Sequence, residues 1–130
     1  MRFVALFTLF VFVSGTPGFA EGIDGVWQSE PRPNGGYITV EIGPCAEAPE
    51  QRCGIIVGAK TNRRESIVGR RLLSGLQRES DAVWVDGLIR RPTGTGTYRS
   101  NLSVEGDQLR VEGCAVGGLF CQSQHWHRVQ

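Results

Sequence analysis

Thr97-Tyr-Arg-Ser-Asn-Leu-Ser-Val-Glu-Gly-Asp-Gln-Leu-Arg-Val-Glu-Gly113 is the stretch that decides the fold. Tyr98, Leu102 and Val104 alternate with Arg99, Asn101 and Ser103, and past Glu105-Gly106-Asp107 the residues Leu109 and Val111 alternate with Arg110 and Glu112. Successive side chains of a strand point to opposite faces, so the pattern describes two half-buried strands joined by a tight turn. The same period organises Tyr37-Ile-Thr-Val-Glu-Ile42, where Ile38, Val40 and Ile42 oppose Tyr37, Thr39 and Glu41. Further strand runs are Gly25–Ser29, Gly36–Ile42, Cys53–Ala59, Arg70–Leu76, Ala82–Arg90 and Gln122–Val129, separated by turn signals such as Gly43-Pro44, Gly94-Thr-Gly96 and Gly117-Gly118. After Ala20 no stretch sustains a 3.6-residue apolar period. The fold class is therefore all-β, with about eight antiparallel strands and one apolar face on each, arranged as a sandwich or an up-and-down barrel. Lys60–Gly69 is the least regular segment and admits a loop or at most one short helical turn.

The start of the chain reads differently. Arg2 precedes an apolar run of eleven residues, Phe3–Val13, interrupted by Thr8, and small residues stand at the −3 and −1 positions of a cut between Ala20 and Glu21. Residues 1–20 read as a secretory signal peptide. The run is too short for a membrane-spanning helix, which needs about 20 apolar residues, and no cysteine follows the cut to carry a lipid. The expected mature domain is 21–130, a single unit located in the periplasm or secreted, and not an integral membrane protein. Of 18 glycines, 16 lie in that domain, which favours many tight turns. Its charge balances: without Arg2 the chain has 13 basic and 13 acidic side chains. That excludes bulk electrostatic binding to nucleic acid.

Cys45, Cys53, Cys114 and Cys121 all fall in the mature domain. An even count in an exported chain reads as disulfides, and four cysteines allow three pairings. Cys45 and Cys53 bracket a loop containing Pro44 and Pro49 at its edges, and Cys114 and Cys121 bracket Gly117-Gly118, so each pair stands where two strands turn back. The spacing favours Cys45–Cys53 and Cys114–Cys121.

These residues also carry a family likeness. Asp24-Gly-Val-Trp27, Cys45 with Cys53-Gly-Ile-Ile-Val57, Leu73-Ser-Gly-Leu76, Trp84-Val-Asp-Gly-Leu-Ile89 running on to Tyr98, Leu109-Arg-Val-Glu-Gly-Cys114, and Cys121 with Trp126-His-Arg-Val129 occur in order. The set resembles the DUF2147 family of exported bacterial proteins, a domain family of unknown function. The resemblance implies a small lipocalin-like barrel and assigns no catalytic residue. The Arg-rich stretch with Arg63-Arg64 and Arg70-Arg71 departs from the acidic, turn-rich segment expected there. In lipocalin-like barrels a first-strand Trp plugs one end beneath a late Arg; Gly25-x-Trp27 and Arg128 are similar to that pair, and cation–π contact would justify it.

Chemistry-bearing constellations are few. His125 and His127 share a strand face about 7 Å apart and are weak metal candidates, because zinc needs three or four protein ligands and a third (Asp24, Glu41 or Asp86) has no positional support. No serine stands in a G-x-S-x-G elbow. Residues 60–91 carry eight basic and four acidic groups, whereas 21–59 carry two basic and six acidic. The first block reads as an anion-binding rim or as a surface pairing with the second. Two functions follow from different classes. One is a non-enzymatic barrel that binds a small apolar or amphipathic ligand, with Trp27, Trp84 and Tyr98 as ligand-binding candidates and no cofactor. The other is a cell-envelope interaction or structural protein that meets an envelope component through the Arg-rich surface 60–91 and has a filled interior. An internal cavity of about 300 Å³ or more separates them. A hydrolase ranks third.

Overall fold

The computed structural model describes residue 11 and residues 22–61, 66–92, 95–115 and 117–130. The signal-peptide reading (apart from Val11), its cut between Ala20 and Glu21, and Arg63-Arg64 lie outside the described residues. Eight strands follow in chain order: β1 Gly25–Gln28, β2 Tyr37–Pro44, β3 Arg52–Lys60, β4 Arg71–Arg78, β5 Val83–Arg90, β6 Thr97–Glu105, β7 Gln108–Ala115 and β8 Phe120–Arg128. Each pairs antiparallel with its sequence neighbour, and β1 pairs with β8, so the sheet closes as an up-and-down barrel rather than a sandwich. Closure satisfies both edges of an otherwise open sheet. No helix occurs among the described residues; the chain turns at Val68-Gly69, and 62–65 of the Lys60–Gly69 segment lie outside the described residues.

The alternation read from sequence maps onto inside and outside. Val40, Ile42, Leu102, Leu109 and Val111 are buried, while Glu41 and Arg110 are exposed. At the β6–β7 turn Gly106 adopts φ 59°, a left-handed value that glycine takes without steric cost. Register shifts between Thr39 and Val40, around Gly54, and between Trp84 and Gly87 mark bulges that curve the sheet. The inner wall needs two small residues there. A Cβ on Gly87 would lie 2.6 Å from the Leu76 side chain, and one on Gly54 would lie 3.0 Å from both Leu73 and Val40. Bare backbone at these positions lets Leu73 and Leu76 fill the barrel's width. Ser100 is a fully buried polar residue on the inner face, and its hydroxyl donates to the Glu112 carbonyl at 2.8 Å.

In an up-and-down barrel, odd strands begin and even strands end at the same rim. At that rim Trp27 is fully buried, its indole N–H donating to the Ile23 carbonyl at 2.9 Å. The Arg128 guanidinium lies 4.2 Å above its ring and donates to the carbonyls of Asp24 (2.8 Å) and Gly22 (2.7 Å). Gly25, at φ 136°, passes directly beneath: a Cβ there would be 2.7 Å from Arg128 Nη1 and 2.6 Å from the Gln130 carbonyl oxygen. A second stack stands beside the first, with Arg52 4.7 Å over the Trp84 ring and its Nε donating to Asp24 Oδ1 at 2.7 Å. Asp24 thus ties both stacks together, the backbone oxygen taking one arginine and the carboxylate the other. Both disulfides have the pairing favoured by spacing, Cys45–Cys53 at this closed rim and Cys114–Cys121 at the opposite one.

Candidate functional site

The opposite rim is open. A cavity of about 770 Å³ enters the barrel between the β1–β2, β3–β4, β5–β6 and β7–β8 connections. Its floor is apolar: Ile67, Leu72, Val111 and Trp126 are buried among core side chains, with Ile38 and Ile89 half-buried above them. The inward positions of β8 are Trp126, Gln124, Gln122 and Phe120, so above the buried indole this wall carries two amides and ends in an exposed ring at the rim. Gln124 Oε1 accepts the Trp126 indole N–H at 3.0 Å. Among the described residues no buried side-chain nitrogen or oxygen lacks a hydrogen-bond partner. The floor therefore presents hydrocarbon and no unmet polar demand.

Charge gathers higher up. Arg32, Lys60, Arg90 and Arg91 line the mouth, together with the carboxylate of Glu30. Glu30 is engaged on β8, where its Oε1 accepts the His125 backbone N–H at 2.7 Å. Arg91 is anchored through Tyr98: its Nε donates to the Tyr98 hydroxyl at 3.0 Å and its guanidinium carbon lies 5.5 Å from the ring centre. A smaller depression of about 360 Å³ adjoins the mouth and is lined by Arg70, Arg71, Arg90, Arg91, Leu72 and Pro92.

The three ligand-binding candidates separate by height. Tyr98 lines the cavity, whereas Trp27 and Trp84 face inward at the closed rim, each capped by an arginine. Trp126, Phe120 and the β8 glutamines also belong to the lining, although alternation alone does not nominate them. For Phe120 and Gln122 the signal is positional, since residues near the start of an even strand lie at the rim opposite Gly25; Trp126, near the end of β8, carries no such signal. His125 and His127 point outward from β8, and His127 has Gln28 and Gln108 as its register neighbours. Neither belongs to a group of three metal-ligating side chains among the described residues; the two such groups found are built on disulfide cysteines, whose sulfurs are bonded to each other. Asp24 is committed to Arg52.

The Arg-rich segment divides. Arg71 forms a two-pronged ion pair with Glu47 in the β2–β3 loop, linking the basic block to the acidic one, and Arg78 pairs with Asp81. The Arg71 guanidinium, followed by a backbone hydrogen bond, holds the Glu47 carboxyl below its ordinary value, and Arg71 is raised in turn. Arg90 and Arg91 belong to the mouth instead. No helix among the described residues is long and apolar enough to cross a membrane.

Comparison with known proteins agrees with this geometry. A Helicobacter pylori protein, HP1028, whose structure is described as belonging to the lipocalin family, superposes with a TM-score of 0.67 at 12% identity, over 82% of each chain. At that identity the likeness concerns the fold, a lipocalin-like barrel. No curated protein matches the sequence. Residues 25–128 match the pattern of a family described as an uncharacterized protein conserved in bacteria, so the chain belongs to the DUF2147 family.

Proposed function

We propose that the protein is a non-enzymatic binding protein that holds one small apolar or amphipathic ligand in the open half of its barrel. The observation that carries this reading is the cavity itself. At about 770 Å³ it falls within the roughly 300–1,000 Å³ common to small-molecule sites, and its apolar floor offers a favourable transfer for hydrocarbon. Among the described residues the one serine hydroxyl in the lining, on Ser29, accepts the Ile38 backbone N–H at 2.9 Å, a structural commitment rather than a poised nucleophile. We further propose a periplasmic or secreted location. Two disulfides, which persist in oxidising compartments, support it, as does the leader reading of residues 1–20 with its cut before Glu21. Native mass spectrometry of protein recovered from the periplasm of its source tests both. A chain beginning at Glu21 and carrying a small molecule is the expected result. A bare chain that takes up no apolar probe overturns the binding function.

A further inference from the structure

We infer that the ligand is an anionic amphiphile, its hydrocarbon tail on the Trp126 floor and its negatively charged head group held where Arg90 and Arg91 meet the mouth. The inference rests on the ligand-binding reading above and deepens it.

Charge pairing singles out this position. Arg52, Arg71, Arg78, Arg110 and Arg128 each have a carboxylate within ion-pair distance, and none of the five lines the cavity. The cavity-lining cations Arg32, Lys60 and Arg90 meet no carboxylate among the described residues; away from the mouth, Arg99 on the outer face of β6 shares that condition. Among the described residues four cations thus face one carboxylate at the mouth, and that carboxylate is already taken up by the β8 backbone. A cleft with one prevailing sign of charge and low-dielectric walls focuses its field, so the potential at this opening is positive although the domain as a whole is neutral.

Hydrogen-bonding geometry narrows the location. Arg90 and Arg91 line both the cavity and the adjoining depression. Tyr98 accepts from Arg91 Nε, which fixes the guanidinium and leaves the phenolic O–H itself as a donor beside it. A guanidinium fork matches a carboxylate or phosphate two-pronged. Below this belt the floor meets every polar need internally, so it accepts a tail and has no role for a second head group.

Trp126 supplies the readout, because it lines the cavity while Trp27 and Trp84 are stacked at the far rim. The probes are 11-bromoundecanoate, the matching neutral alcohol, and a bromoalkyl trimethylammonium of equal length, titrated at neutral pH and low salt while tryptophan quenching is followed. The expected result is at least about tenfold tighter binding of the carboxylate than of the alcohol, with the ammonium weakest. That preference should shrink with added salt and fall to about twofold or less in Arg90→Gln/Arg91→Gln. Both residues are exposed, so the variant should keep the wild-type circular dichroism and thermal midpoint. Equal binding of alcohol and carboxylate, or a preference unchanged in the double variant, overturns the anionic head group and leaves the binding function standing. Quenching by none of the three probes overturns the binding function and the inference with it.

Discussion

Arg128→Ala is the most informative single perturbation of this barrel. The Arg128 side chain is only 12% exposed, and its guanidinium makes two hydrogen bonds, to the carbonyls of Asp24 and Gly22. Hydrogen bonds to a charged group contribute about 1.5–3 kcal/mol each, and the stack on Trp27 adds about 0.5–2 kcal/mol. The two carbonyls lie at a barrel end and regain water once the side chain is gone, so the net loss should fall below the plain sum, at about 2–4 kcal/mol. The contact with Asp107, 3.9 Å away and 90% exposed on the acidic side, contributes little. Urea unfolding measures the loss as a shift in midpoint at constant slope. Trp27→Leu keeps an apolar body and removes the ring face; in a double-mutant cycle with Arg128→Ala the coupling should be at least about 0.5 kcal/mol. A loss under about 0.5 kcal/mol, or two losses that simply add, would refute the clamp.

Gly87→Ala should cost about 1–3 kcal/mol by overpacking, because its Cβ would meet Leu76 at 2.6 Å and the Ser74 carbonyl oxygen at 2.9 Å; Leu76→Ala in the same chain should recover part of the strain, and a neutral Gly87→Ala would show that the inner wall has slack. Peptide mapping of the oxidised protein should return Cys45–Cys53 and Cys114–Cys121, with the second reduced first because Cys121 is exposed whereas Cys45 and Cys53 are buried. Each bridge closes a short loop and adds about 2–3 kcal/mol in the chain-entropy model, so the reduced barrel should be weaker and still folded. The Glu47 carboxyl, depressed in the fold by Arg71, stabilises above the ordinary unfolded value of about 4.3 and loses that contribution as pH falls through its lower folded value. Thermal midpoints measured against pH should therefore show a shallower acid limb in Glu47→Gln, and superimposable curves would remove the pair from the stability of the fold.

Much of this architecture is legible in the residues because a period of two reports directly which face a side chain occupies. It assigns Tyr98, Leu102, Leu109 and Val111 to the apolar faces of their strands, and they are inward. The closure by Gly25-x-Trp27 and Arg128 is legible only through the resemblance to lipocalin-like barrels, since no residue period pairs positions so far apart in the chain. Height along the barrel is not. Trp84 and Tyr98 are each the second residue of a strand, and alternation treats them alike. Because β5 runs up where β6 runs down, one stands under Arg52 at the closed rim and the other beside Arg91 at the open one. The arginine doublets are equally ambiguous. Neighbouring strand residues point apart, so gathering Arg90 and Arg91 needs a strand end, where the chain leaves the sheet. Gly54 and Gly87 give no signal, because the need for bare backbone comes from bulges and from leucines far away in sequence.

The seam between β1 and β8 has one further consequence, for association between chains. The clamp joins residues 104 and 106 positions apart, the longest reach in the sheet, whereas every other strand pair is a neighbour in the chain. Seven hairpin-like pairings can form while this seam is still open, and loop closure makes the distant pairing the slow one. Until it forms, the free edges of β1 and β8 present unpaired backbone donors and acceptors, which template pairing with another molecule. The seam holds two register pairs, Trp27 with Arg128 and Gln28 with His127, on a strand of four residues. Loosening the clamp should thus reveal itself first as concentration-dependent strand exchange or edge-to-edge aggregation, before the barrel's interior comes apart.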